Sequence, residues 1–135
     1  MATNPSITFI RPAELTTTAP YAYAAVAAAG RLVFAAGACP LDAEGKTVAP
    51  GDVAGQARQV MVNLVATLRA SGADLGDVVK TTVFVASADR ADLVAAWNVV
   101  REAFGDHDAP STLLGVSVLG YPDQLVEVEA IAVAP

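Results

Sequence analysis

From Asp52 onward the hydrophobic rhythm of the chain changes. Val53, Ala57, Val60, Met61, Leu64, Val65 and Leu68 recur at steps of three and four residues, the spacing that gathers side chains on one face of an α-helix. Asp52 stands where an N-cap accepts from free backbone N–H groups, and Gly72 where a helix stops. A second helix is predicted over Asp89 to Phe104, with Leu93, Trp97, Val100 and Phe104 in helical register and Gly105 ending it. Elsewhere the apolar stretches are short and bounded by turn residues. Ser6 to Ile10, Arg31 to Gly37, Val78 to Ala86, Ser111 to Leu119 and Leu125 to Val133 read as strands. Leu41 to Gly51, with Asp42, Glu44, Gly45, Pro50 and Gly51, reads as a loop. The order strand, strand, helix, strand, helix, strand, strand predicts an α+β sandwich.

The closing strand adds a second expectation. Alternation places Val126, Val128, Ala130 and Ala132 on one face, under the helices, and Leu125, Glu127, Glu129 and Ile131 on the other. In the strand Val78 to Ala86, Val79, Val83 and Val85 oppose Lys80, Thr82 and Phe84. Two helices cover only one face of such a sheet. Large apolar groups on the second face then predict self-association.

Length and composition narrow the functional classes. A chain of 135 residues with 54% hydrophobic residues makes one folded domain, 1–135. Eight Lys and Arg stand against 14 Asp and Glu, so few cations are on offer to phosphates, and nucleic acid is disfavoured as a partner. No apolar run is long enough to span a membrane. Asn4, Pro5 and Ser6 occupy the segment where a secretory leader needs a basic start and a long apolar run, so a cytoplasmic location is expected. One cysteine (Cys39) and one histidine (His107) leave no ligand set for zinc, and no metal or cofactor is expected. Cys39 reads as a small buried hydrophobe, because the local sequence lacks the cations that activate a thiol. His107 in Asp106-His107-Asp108 reads as a solvated loop residue.

Several motifs, taken together, resemble one family. They are Pro20-Tyr21-Ala22-Tyr23-Ala24-Ala25-Val26, then Gly30-Arg31-Leu32-Val33-Phe34-Ala35-Ala36-Gly37, then Pro40-Leu41-Asp42 and Gly45. Gln56 with Asn63-Leu64, Asp77-Val78-Val79-Lys80, and Val126-Glu127-Val128-Glu129-Ala130-Ile131-Ala132 continue the match. The whole is similar to the Rid family, reactive intermediate deaminases also called YjgF or L-PSP endoribonuclease-like. The resemblance implies a chorismate-mutase-like sandwich, a mixed sheet with two helices on one face. It also implies a homotrimer with a central barrel and ligand clefts between subunits.

The same resemblance implies hydrolysis of enamines and imines, with an arginine gripping the substrate carboxylate and a glutamate handling the attacking water. Glu127 matches that glutamate and Tyr21 the cleft tyrosine. The arginine is absent: Ser111 stands at its place, and no Lys or Arg follows Arg101. Ala36 stands where the family has a serine and Trp97 where it has an asparagine. The expected function is therefore a Glu127-directed hydrolysis of a small imine, enamine or related C=N compound other than the usual α-imino acid. Tyr21, Ser111, Trp97 and Ala36 would shape the small-molecule site. The alternatives are a non-catalytic small-molecule-binding or regulatory trimer and, on the charge balance less favoured, an endoribonuclease or translation inhibitor. For Glu127 the structural alternative is a strand carboxylate paired with Lys80; for Trp97 it is a core position.

Overall fold

Single carboxylates open both helices. In the computed structural model, which describes residues 3–135, Asp52 accepts from the Gly55 N–H at 2.9 Å and starts α1 (Val53–Ala70). Asp89 accepts from the Ala91 N–H at 2.9 Å and starts α2 (Arg90–Phe104). Gly72 after α1 and Gly105 after α2 take φ of +82° and +60°, conformations open to glycine at little steric cost. Both helix predictions hold to within a residue or two.

The strands are β1 (Ile7–Ile10), β2 (Ala24–Ala27), β3 (Arg31–Ala38), β4 (Val78–Val85), β5 (Ser111–Gly115) and β6 (Val126–Ala134). Four of them form one sheet in the order β3-β6-β4-β5. β4 and β5 run parallel, joined through α2, and the other pairs are antiparallel, so the sheet is mixed as expected. β1 and β2 make a separate two-stranded sheet. It is tied to the rest by the Asn4 amide, which donates to Asp77 and to the Val133 carbonyl, and by the Ala22 N–H donating to the Asp108 carbonyl.

Three details depart from the sequence reading. β2 has no signal in the sequence, because Ala-Ala-Val-Ala carries neither β-branched enrichment nor a two-residue alternation. β5 stops at Gly115 rather than Leu119, since its partner β4 ends at Val85 and no ladder is left to extend. A bulge between Val78 and Lys80 in β4 shifts the pattern, so Val78, not Val79, joins Val83 and Val85 on the buried face.

Both helices lie on that buried face. Ala57, Val60, Leu64 and Leu68 of α1 and Ala96, Val100 and Phe104 of α2 pack on Val83, Val85, Val126, Val128, Ala130 and Ala132. Each fully buried Val or Leu side chain stabilises the fold by about 1.5–3 kcal/mol. Among the described residues no helix packs on the opposite face, although Val133 is buried there. Phe34 is 70% exposed and Leu32 61% exposed there, with Leu114 also exposed and Phe84 and Ile131 half-buried. Among the described residues no helix is long and apolar enough to cross a membrane.

Candidate functional site

Alternation along β6 sends Glu127 to the outer face of the sheet, in the row that contains Phe84 of β4 and Leu114 of β5. Its side chain is half-buried and held through one oxygen. Oε1 accepts from Gln124 Nε2 at 3.0 Å and from the Cys39 thiol at 3.2 Å. The carboxylate also lies tight against Gly37, where any Cβ would overlap it. Next to Gly37 the β3–β6 register slips between Ala35 and Ala38, a bulge that steers the end of β3 past Glu127.

Helix α1 supports both donors. Gln56, fully buried, donates to the Asp123 carbonyl at 2.8 Å and accepts from the Leu125 N–H at 2.7 Å, which fixes the backbone on either side of Gln124. Asn63, seven residues later on the same helix face, donates to the Cys39 carbonyl at 2.8 Å and the Leu41 carbonyl at 3.0 Å. Gln124 is itself buried and accepts from the Tyr121 N–H at 3.1 Å. Burial pushes the Cys39 thiol up from 9.0 to about 11, and the hydrogen bond to Glu127 and its charge push the same way. Such a thiol stays protonated and serves as a donor, not a nucleophile.

A second constellation lies at the β5 edge of the sheet. Pro20, Tyr21, Trp97, Ser111, Thr112 and Leu113 line a groove of about 420 Å³. Tyr21 meets Trp97 edge-on with ring centroids 6.3 Å apart. Ser111 Oγ lies 2.7 Å from Thr81 Oγ1 and donates to the Ala109 carbonyl at 2.9 Å, so no base activates it. Arg101, one turn after Trp97 on α2, borders the adjoining recess with Ser111 and His107.

The structure thus brings Tyr21, Trp97 and Ser111 together and keeps Glu127 apart from them within one chain. Ala36 is exposed in the β3 bulge, beside the glycine that meets Glu127. Ser111 pairs with Thr81, whose side chain is buried on the helix side of the sheet, whereas Thr112 shares the outer face with Glu127. Lys80 does not pair with Glu127. It donates to Thr112 Oγ1 at 2.6 Å and lines, with Glu129 and Phe34, a hollow of about 250 Å³ at the middle of the outer face. Arg11 pairs with Asp108 at 2.7 Å, and Arg31 sits beside Gly72 at the other end of β3. Among the described residues no cation touches Glu127. An open trough of about 1040 Å³ lies between α1 and α2, across the sheet from Glu127.

His107 is not a solvated loop residue. Its Nε2 lies 2.7 Å from the Val78 carbonyl, which requires a proton on that nitrogen, and its ring packs on Phe9 and Phe104. Nothing in the local sequence marks Gln124, and Cys39 is a hydrogen-bond donor rather than the plain buried hydrophobe its neighbours suggest. The contact between Cys39 and Glu127 spans 88 positions of chain, and no local pattern announces it.

A mixed sheet under two helices, with a strand carboxylate on its outer face, defines an α+β protein of the architecture expected above. The family described as "Endoribonuclease L-PSP" matches residues 12–134, and the chain belongs to this family, the Rid family of the sequence resemblance. A RutC family protein of Pyrococcus horikoshii is 37% identical over 82% of this chain and 85% of its own. The 2-iminobutanoate/2-iminopropanoate deaminase of Escherichia coli is 41% identical over 77% of this chain and 80% of its own. The crystal structure of the Rid family protein YyfB from Yersinia pestis aligns with a TM-score of 0.88 at 30% identity, covering 95% of this chain and 98% of that one.

Proposed function

We propose that copies of this chain form a homotrimer whose outer sheet faces enclose a central barrel, and that each cleft between copies hydrolyses a small imine or enamine. Two observations support the assembly: the uncovered apolar face with Phe34 and Leu32, and the position of β3 and β5 as opposite edges of the sheet. A ring of copies sets the Glu127 end of one chain beside the Tyr21–Trp97–Ser111 groove of the next.

The observation that carries the chemistry is a half-buried strand carboxylate held by two neutral donors and by no cation. In the proposed step Glu127 takes a proton from water while the oxygen adds to the C=N carbon. The protonated Glu127 returns that proton to the nitrogen; the resulting carbinolamine then breaks its C–N bond as its hydroxyl proton passes to nitrogen, giving a carbonyl compound and ammonia. The deaminase names among the relatives support this reaction class. The neutral surroundings of Glu127 and the serine at position 111 favour substrates without an α-carboxylate, since the charge-assisted grip of an arginine is missing.

The test is ammonia release from a panel of imines with and without a carboxylate. The parent should prefer the latter, and Glu127→Ala should lose about 100-fold or more in kcat, the usual range for a general base. Equal rates for parent and variant remove Glu127 from the mechanism. The second reading, a non-catalytic binder, is favoured by the hydrogen-bonded, unactivated Ser111 in the groove. It predicts ligands that raise the melting temperature and are recovered unchanged. An endoribonuclease has less support, given eight cations against 14 acidic residues.

A further inference from the structure

We infer that Cys39 and Gln124 are positioning residues for Glu127: both donate to its Oε1 and so leave Oε2, the oxygen against Gly37, to handle the water. The inference rests on the reading of Glu127 as the water-handling base. A carboxylate on a strand rotates about its last bond unless one oxygen is tied. Here that oxygen is tied twice, from two different segments of chain. Gln124 reaches it from the loop before β6 and Cys39 from the end of β3.

Three features argue that the clamp is built rather than incidental. Gln124 is almost fully buried and spends its amide on Glu127 Oε1 and the Val126 carbonyl, while its own oxygen takes the Tyr121 N–H. The thiol has a choice of acceptors and lies closer to the charged one, 3.2 Å from Glu127 against 3.5 Å from the Gly37 carbonyl. The backbone under each donor is pinned by α1, through Gln56 for one and Asn63 for the other. A covalent role for Cys39 is the competing idea. The raised thiol pKa opposes it, because a carboxylate is far too weak a base to hold that proton in the thiolate's place.

The experiment compares Cys39→Ala, Cys39→Ser, Gln124→Met and Glu127→Gln on the imine that the parent turns over fastest. Cys39→Ala and Gln124→Met should each lower kcat about tenfold with KM within about twofold, the pattern of an interaction that matters only in the transition state. Cys39→Ser keeps a donor and should recover most of the loss. Parental kcat in both Cys39→Ala and Gln124→Met, beside a dead Glu127→Gln, overturns the positioning role and leaves the Glu127 reading intact. An active Glu127→Gln overturns the reading itself and the positioning role with it.

A second readout needs no turnover. Alkylation of Cys39 by iodoacetamide at fixed pH reports its thiolate fraction. Glu127→Gln should speed alkylation by about threefold or more, because the charge that holds the proton on sulfur is gone. An unchanged rate shows that thiol and carboxylate do not meet in solution, and the clamp is refuted even if no imine is hydrolysed.

Discussion

Glu127 occupies a space that only a glycine neighbour leaves open. Because a Cβ at position 37 overlaps the carboxylate, Gly37→Ala should swing Glu127 off its donors and cost roughly tenfold or more in kcat, measured on the best imine. Burial, and after it the hydrogen bond to Glu127 and the charge there, push the folded Cys39 thiol up from 9.0 to about 11, so the folded state holds the proton longer. That contribution to stability is complete below pH 9 and is lost as pH rises toward 11. Cys39→Ala should therefore flatten the fall in denaturation midpoint between pH 9 and 11 relative to the parent. At this scale the sequence was half legible. Glu127 and Gly37 stand in matching motifs, but the donors to Glu127 come from residues that only the fold brings near, and Ser111 and Glu127 proved to belong to different constellations.

Helix α1 does two kinds of work, one through its apolar stripe and one through its polar positions. The stripe, the Asp52 cap and the Gly72 stop were plain from spacing alone, since a helix is specified by residues a few positions apart. Asp52→Ala should lower stability by about 1 kcal/mol in urea denaturation, the cost of an unsatisfied first turn. Gln56 is the stronger test. Replacing it with Leu leaves the Leu125 N–H and the Asp123 carbonyl without their partner, at about 1–3 kcal/mol for each buried group. The same change should loosen the Gln124 loop and depress kcat well beyond what the stability loss explains at a temperature where the variant is folded. What spacing did not reveal were the breaks in strand geometry, the bulges at Val78–Lys80 and Ala35–Ala38 and the early end of β5. Each depends on what the partner strand does, and that information lies elsewhere in the chain.

At the scale of the whole molecule, the sheet carries one covered face and one bare one. This much followed from the alternation in β6, where Val126, Val128, Ala130 and Ala132 are buried and Glu127, Glu129 and Ile131 point the other way. Charge placed on the bare face should therefore act on assembly before it acts on folding: Phe34→Glu should lower the mass seen by light scattering to that of one chain while far-ultraviolet circular dichroism is kept. The Tyr21 groove and Glu127 stand apart in a single chain, and it is the proposed assembly that would bring them together through a neighbouring copy.

Complementation measures that shared cleft most directly. Glu127→Gln and Trp97→Ala, each expected to be inactive alone, are co-expressed so that mixed assemblies form. If each cleft takes its carboxylate from one copy and its groove from the next, random mixing restores about a quarter of the parental ammonia release. A mixture as inactive as its two components contradicts the account.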